Sequence, residues 1–250
     1  MLFLHSVRHM LWTFTAIIPL TLALLFVSVL GAGSRLRYRI AHTWMKLNVT
    51  SAKSMLGIKT RVSGLDNLPK DPYQGLVLLS KHQSTFDVFL IAAVMPRPVA
   101  FVFKKELLKI PFFGWALACL DMIRIDRTQR RRAFADVLSQ GHRLLGDGLW
   151  VTMFPEGTRM ERGEVGEYKR GGSRLAVSAG VPVVPVAITS AKVWPRKAFV
   201  KRPGVVDISI GPQLSPAGRT QEELMDMAQD WIESEMQRLD PHAYPAIQHE

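Results

Sequence analysis

A histidine and an aspartate five residues apart are the side chains best suited to proton transfer in this sequence, where residues 80–87 read Ser-Lys-His-Gln-Ser-Thr-Phe-Asp. An imidazole with its ordinary pKa of about 6.5 can take a proton from a hydroxyl group near neutral pH. A carboxylate at the other ring nitrogen fixes the tautomer and stabilises the imidazolium that forms. His82 and Asp87 are therefore a candidate general base and its orienting partner.

The two side chains can meet only if the chain turns between them. On a continuous helix they would point about 140° apart, so we expect His82 to follow a strand and Asp87 to open a helix. Apolar runs at 75–79 and 88–93 flank the polar turn, as this layout requires. The competing interpretation is a helix-capping Ser84-x-x-Asp87 with an incidental histidine.

A second polar segment, residues 154–159, reads Phe-Pro-Glu-Gly-Thr-Arg and follows a strand-like run at 149–153. Ligands of open α/β sheets bind at the carboxyl ends of the strands. There Gly157 would let the backbone approach a ligand, and the guanidinium of Arg159 offers a fork of donors that matches phosphate oxygens. The alternative is an ordinary turn with a solvated arginine.

Two further basic residues follow strand-like runs. Lys105 comes after residues 99–103, and Arg127 comes after residues 122–125. If both reach the same edge of a sheet as Arg159, three cations can neutralise a phosphate monoester that carries about two negative charges. The alternative for each is a solvated surface base.

Five ordered blocks of the chain, between about residues 60 and 190, resemble motifs of the glycerolipid acyltransferase family, in particular its bacterial-type 1-acylglycerol-3-phosphate acyltransferase branch. Two residues depart from the family pattern, because Lys81 stands where Asn is usual and Met160 where Ser is usual. The five blocks are His82 to Asp87, Lys104-Lys105-Glu106-Leu107 with Pro111 and Gly114, Ile125-Asp126-Arg127, Phe154 to Arg159, and Val181-Pro182-Val183-Val184-Pro185-Val186.

The resemblance implies an enzyme that transfers a fatty acyl group to the 2-hydroxyl of 1-acylglycerol 3-phosphate (lysophosphatidic acid), giving phosphatidic acid. The donor would be acyl-CoA or acyl carrier protein. His82 and Asp87 would be catalytic, and Glu156 would either hold the loop or touch the acceptor hydroxyl. The residues expected to bind substrate are Lys105, Arg127, Glu156, Gly157, Thr158 and Arg159.

Two alternatives remain open. The acceptor could be a different lysolipid, because the motifs specify a phosphate and a hydroxyl better than the rest of the molecule. The chain could also be a non-catalytic lipid-binding protein that keeps the fold, although the intact motif residues argue against this.

Several familiar kinds of site lack their sequence signatures. The chain has no nucleotide-binding glycine loop and no zinc-ligand spacing, so no metal or other cofactor is expected. The segment at 171–175 lacks the last glycine of a serine nucleophile elbow. Cys119 is the only cysteine, which excludes an internal disulfide. The economical mechanism is therefore direct attack of the substrate hydroxyl on an acyl thioester.

The N-terminal region predicts a membrane-associated helical segment. Residues 10–34 carry no charge over 25 positions, and about 20 apolar residues suffice to cross a bilayer. Pro19 and the length leave open whether this segment spans the membrane or enters one leaflet together with the amphipathic stretch around Trp44. A cleaved signal peptide is the rival interpretation, but the apolar run is longer than is usual there.

Charge supports a membrane surface rather than a nucleic acid as the partner. The first 65 residues hold eight Lys or Arg and no Asp or Glu, and so carry +8 of the net charge of +11. This excess flanks the apolar run, where it attracts anionic lipids. Arg35, Arg37 and Arg39 outnumber Arg8, which predicts a cell (inner) membrane protein with its catalytic domain on the cytoplasmic side.

Beyond residue 60, strand-like and helix-like runs alternate, which predicts one α/β domain with a largely parallel sheet and flanking helices. We expect an anchor at 1–59, the α/β domain at 60–240, ending in a helix at 221–239, and a loose tail at 241–250. The expected strands are 75–80, 99–103, 122–125, 149–154, 183–189 and 205–210.

Overall fold

The structure is a computed structural model that describes residues 1–126, 128 and 130–244, with the backbone alone at 130–133. The helices are α1 (Leu2–Val29), α2 (Ser34–Leu56), α3 (Phe86–Val94), α4 (Phe113–Ala118), α5 (Arg130–Gly146), α6 (Gly171–Ala179) and α7 (Gln221–Leu239). The strands are β1 (Ile58–Ser63), β2 (Leu76–Ser80), β3 (Val99–Lys104), β4 (Ile123–Ile125), β5 (Trp150–Met153), β6 (Val183–Ile188) and β7 (Gly204–Ile210).

The seven strands form one sheet in the order β1-β7-β6-β2-β5-β3-β4. The pairing of β6 with β7 is antiparallel, and the other five pairings are parallel. The prediction of a largely parallel sheet with flanking helices is confirmed, and the six expected strands are present. The sequence pattern does not predict β1, because this edge strand carries Lys59 and Arg61 and is exposed at most of its positions.

Helices cover both faces of the sheet, and the side chains of β2 show how the two cores divide. Leu76 and Leu78 point into a core shared with α1, α2 and α3. Val77 and Leu79 point into a second core shared with α5, α6 and α7. Successive strand residues face opposite sides of a sheet, so the uninterrupted apolar run of β2 reflects burial on both faces.

The N-terminal segment forms two helices that pack on each other, α1 and α2. Helix α1 begins at Leu2, earlier than the uncharged run. Residues 30–33 separate it from α2, which begins at Ser34. In the described part of the chain, α1 is the one helix long and apolar enough to cross a membrane. Ser6, His9, Ile17, Thr21 and Leu24 of this helix are nevertheless buried.

Helix α7 closes the domain against β6. Its N-cap is Thr220, which forms a reciprocal capping box with Glu223. Its side chains Leu224, Ala228, Ile232 and Met236 lie in the second core. The chain continues past α7 to Tyr244, which is buried, and residues 245–250 of the expected tail lie outside the described part.

Candidate active site

The polar segments follow strands that lie side by side in the sheet. β5 pairs with β2 on one side and with β3 on the other, and neighbouring strands lie about 4.8 Å apart. His82 comes two residues after β2, and Phe154 comes directly after β5. The carboxyl ends of these parallel strands therefore bring the two segments together, as the sequence predicts.

The turn between β2 and α3 holds His82 against Asp87. The ring Nδ1 of His82 lies 2.9 Å from Oδ2 of Asp87. The same oxygen accepts from the backbone N–H groups of Gln83 and Ser84, each at 2.8 Å. The capping and acid–base interpretations thus describe one arrangement, in which the fully buried carboxylate orders the turn and orients the imidazole.

Ser190 binds the second oxygen of the Asp87 carboxylate. Its hydroxyl donates to Oδ1 from a short turn just past β6, and both side chains are fully buried. Asp87 consequently has donors on both oxygens. Sequence reasoning missed Ser190, although its position beyond a strand end at the same side of the sheet was an available signal.

The imidazole of His82 is fixed on its face as well as at Nδ1. It stacks on the ring of Phe154, with centroids 3.8 Å apart and planes 19° apart. Because Asp87 occupies Nδ1, Nε2 is the nitrogen that can take up a proton. The side chain retains 15% exposure, so a substrate can reach the ring from one side.

The segment after β5 is attached to the histidine turn at three points. The backbone N–H of Met160 donates to the carbonyl of His82 at 2.8 Å. Nη1 of Arg159 donates to the hydroxyl of Thr85 at 2.6 Å. Oε2 of Glu156 accepts from the backbone N–H of His82 at 3.0 Å. The guanidinium of Arg159 therefore lies beside the turn that carries His82.

Glu156 points into the protein. Its side chain is fully buried, and Oε1 accepts from Nζ of Lys81 at 2.7 Å and from the N–H of Gly166 at 3.3 Å. Burial raises the pKa of Glu156, while the ammonium of Lys81 opposes that rise. Of the two roles expected for Glu156, this position favours holding the loop.

The tip of the loop, Gly157 and Thr158, faces outward. Gly157 has φ +66°, a conformation that favours glycine, and its N–H donates to Phe154. The side chain of Lys169 crosses it, with Nζ 3.3 Å from where a Cβ would lie. Lys169 thus adds an exposed cation beside the loop that the sequence analysis did not include.

Lys105 follows β3 and forms an ion pair with Asp126, which follows β4. This hydrogen bond, with help from Thr128, lowers the pKa of Asp126 to about 2. A phosphate at Lys105 would therefore share the ammonium with a carboxylate. Arg127 lies outside the described residues.

No group of three or more His, Cys, Asp or Glu side chains in the described part of the chain could hold a metal ion. The described polar groups instead make an acid–base pair beside an arginine-bearing loop. Such a site can deprotonate a hydroxyl group and bind an anionic substituent near it.

Known proteins resemble this chain in sequence. A family model described as "Acyltransferase" matches residues 59–189. The chain is 37% identical to a 1-acyl-sn-glycerol-3-phosphate acyltransferase of Pseudomonas aeruginosa over 236 residues, which cover 93% of this chain and 90% of the relative. It is 32% identical to the protein of that name from Saccharomyces cerevisiae, over 78% of this chain and 65% of the yeast protein.

A solved structure has the same fold. The crystal structure of the 1-acyl-sn-glycerophosphate (LPA) acyltransferase PlsC from Thermotoga maritima superposes with a TM-score of 0.80. The match covers 95% of each chain at 26% sequence identity. Both N-terminal helices and α7 therefore fall largely within the shared architecture.

Proposed function

Because the chain belongs to the acyltransferase family, we propose that it acylates the 2-hydroxyl of 1-acylglycerol 3-phosphate and releases phosphatidic acid. The observation that carries the proposal is the contact between Nδ1 of His82 and Asp87. It leaves Nε2 to act on a hydroxyl, beside a loop that bears Arg159. Relatives named for this reaction support the choice of acceptor.

In the proposed reaction, Nε2 of His82 takes the proton of the acceptor hydroxyl as its oxygen attacks the thioester carbonyl. Asp87 stabilises the imidazolium that results. The carbon–sulfur bond then breaks, and His82 returns the proton to the departing thiolate. The ester and the free thiol are the products, so atoms and charges balance without a cofactor. The donor is acyl-CoA or acyl carrier protein.

The proposed phosphate site is built around Arg159, whose planar fork suits phosphate oxygens. Its contact with Thr85 ties a bound phosphate to the turn between His82 and Asp87, which would align the hydroxyl with the base. Lys105, Gly157 and Thr158 belong to the same proposed site, as does Arg127 on the strength of the sequence.

The packing of α1 supports attachment to one leaflet. Ser6 accepts from the N–H of Lys201 at 2.9 Å, and Thr21 donates to the carbonyl of Phe112 at 3.2 Å. These contacts are 15 residues apart, about 22 Å along a helix. Because this length of α1 lies on the domain, the rest of the 28-residue helix is too short to cross a hydrocarbon core of about 30 Å.

The opposite face of α1 is apolar and exposed, with Leu11, Phe14, Leu22 and Phe26 each more than half exposed. An exposed apolar stripe of this length fits a lipid surface. We place the protein on the cytoplasmic leaflet of the inner membrane, where thioester donors are available and the basic N-terminal region meets anionic lipids.

An acyl-transfer assay on the purified full-length protein tests the function. The acceptors are 1-acylglycerol 3-phosphate and a lysolipid whose phosphate is capped by choline, each with acyl-CoA and with acyl carrier protein. We expect rapid transfer to the uncapped acceptor and poor transfer to the capped one, which has less charge and a bulky group at the phosphate. Equal rates would favour a different lysolipid acceptor, and no transfer would favour a non-catalytic protein.

A further inference from the structure

Lys81, the residue that departs from the family's asparagine, is fully buried directly behind the base. An ammonium group has three protons to donate. Nζ of Lys81 lies 2.7 Å from Oε1 of Glu156, 2.8 Å from Oε1 of Glu233 and 2.9 Å from the carbonyl of Glu164. All three protons thus have acceptors inside the protein.

One of these acceptors leads to His82. Oε1 of Glu156 binds Lys81, and Oε2 of the same carboxylate accepts the backbone N–H of His82. The carboxylate of Glu156 therefore links the ammonium of Lys81 to the backbone of His82. Charged acceptors make hydrogen bonds roughly twice as strong as neutral ones, so the ionised form of Glu156 holds this N–H best.

The other carboxylate comes from α7, which lies beyond the residues that the family model matches. Oε1 of Glu233 accepts from Lys81 and from the hydroxyl of Tyr168 at 2.6 Å. Glu233 is 8% exposed, so this is a buried contact between the end of β2 and the last helix. Helix α7 thereby fixes the position of the ammonium.

We propose that Lys81 is a positioning residue for acyl transfer: supported by Glu233, it keeps Glu156 charged and so holds the backbone of His82 in place. This inference rests on the proposed function. Lys81 itself does not touch the substrate.

A purely structural role is the competing explanation, because a buried ion pair can contribute to folding alone. Removing one partner of such a pair costs about 3–5 kcal/mol, whereas replacing both with apolar residues of similar size is often neutral. A Lys81→Met/Glu233→Met variant therefore separates the two explanations. It removes the buried pair and leaves Glu156 without its ammonium.

We expect this double variant to recover only part of the melting temperature that Lys81→Met alone loses, because it removes one of the two buried carboxylates that lose the ammonium and leaves Glu156. Its kcat on 1-acylglycerol 3-phosphate should nevertheless stay about 10- to 100-fold below wild type, the loss that a misplaced reacting group produces. KM for the thioester donor should change little. A double variant with the kcat of wild type would overturn the proposal.

The pH profile gives a readout that a structural role would not move. The titratable groups that interact with Glu156 are Lys81, Glu233, Tyr168 and Tyr244. Lys81 lowers the pKa of Glu156 more than Glu233 raises it, so the loss of both residues raises that pKa. Glu156 of the double variant should then ionise at higher pH than in wild type. The kcat of the double variant should therefore keep rising with pH where the kcat of wild type no longer changes. A profile parallel to that of wild type would contradict the proposal.

Adding Glu156→Gln to the double variant tests the hydrogen bond between residue 156 and the backbone N–H of His82. The amide oxygen of glutamine can accept the N–H of His82 at any pH, and the triple variant carries none of the three buried charges. We expect it to fold, to regain at least about a third of the lost kcat on a logarithmic scale, and to lose the added pH dependence. A folded triple variant no more active than a folded double variant would refute the proposal. If the double variant does not fold, a folded triple variant with a kcat more than about 100-fold below wild type would refute it.

The matched control is Arg238→Met/Glu235→Met, which removes an ion pair on the same helix without touching Glu156 or Lys81. Its kcat should equal that of wild type. Wild type that fails to acylate 1-acylglycerol 3-phosphate would refute the proposed function instead. Active wild type with an unimpaired double variant would refute only the role of Lys81.

Discussion

The carboxylate of Asp87 accepts from four donors, although a base-orienting carboxylate needs only one. The imidazole of His82 and two backbone N–H groups bind one oxygen, and Ser190 binds the other. This arrangement fixes the ring before a substrate arrives, so little reorganisation accompanies proton transfer. The proposed base is therefore held in place by local turn geometry and by one residue from a distant strand end.

Replacing Arg159 tests the phosphate site. Arg159→Ala should raise KM for 1-acylglycerol 3-phosphate about 10- to 100-fold, the value of a charge-assisted hydrogen bond of about 1.5–3 kcal/mol. KM for the donor should change far less, and Arg159→Lys should recover part of the loss because it keeps the charge without the fork. Steady-state kinetics with each substrate varied in turn measures this.

The control for Arg159 is Arg170→Ala, which removes an exposed arginine that pairs with Glu222. Its KM values should match those of wild type. Equal increases for both variants would show a general charge effect, and an unchanged KM in Arg159→Ala would remove this residue from the phosphate site.

Residue spacing was sufficient to predict the contact between His82 and Asp87 because the turn that joins them is local. It could not predict the burial of Lys81, since lysines are almost always exposed unless paired and its partner Glu233 is 152 positions away. The ion pair of Lys105 with Asp126 likewise depends on the adjacent ends of β3 and β4. Such contacts follow from strand order, which the sequence pattern does not specify.

At the scale of elements, one face of α1 packs on the α/β domain and the opposite face is exposed. His9, Thr21 and Leu24 are buried against the domain, whereas Phe14 and Phe26 are exposed. Hydropathy alone predicted a long apolar helix but left its orientation open. The hydrogen bonds made by Thr13 and Thr21 explain why polar residues interrupt the apolar run.

Polar substitution of the exposed stripe tests the orientation of α1. The variant Phe14→Ser/Leu22→Ser/Phe26→Ser should remain folded, because none of these side chains is buried. It should be released from membranes at high salt, since burying each such side chain in lipid contributes up to about 1.5–3 kcal/mol and salt screens the basic flank. Sedimentation of vesicles with bound protein measures the effect.

The matched control substitutes Tyr73 and Val165, two exposed apolar residues outside the N-terminal helices, with serine. It should sediment like wild type at every salt concentration. If the stripe variant also sediments like wild type, the exposed face of α1 is not what holds the protein on lipid.

At the scale of the molecule, the candidate site residues lie at the carboxyl ends of β2, β5, β3 and β4. Helices α1 and α2 cover one face of the sheet. Alternating strand and helix patterns predicted this class of fold, because each buried strand is a short apolar run. They did not predict that β7 would run antiparallel to β6 and pair with β1. Those pairings depend on long-range contacts rather than on local pattern.

Acyl transfer by the His82→Ala variant tests the central claim most directly. With saturating 1-acylglycerol 3-phosphate and acyl thioester, its rate of phosphatidic acid formation should fall by about 10²- to 10⁴-fold, the contribution of a positioned general base. Asp87→Asn should lose somewhat less, and the Tm and membrane binding of His82→Ala should match wild type. A folded His82→Ala variant that retains more than about a tenth of wild-type turnover would contradict the assignment of His82 as the base.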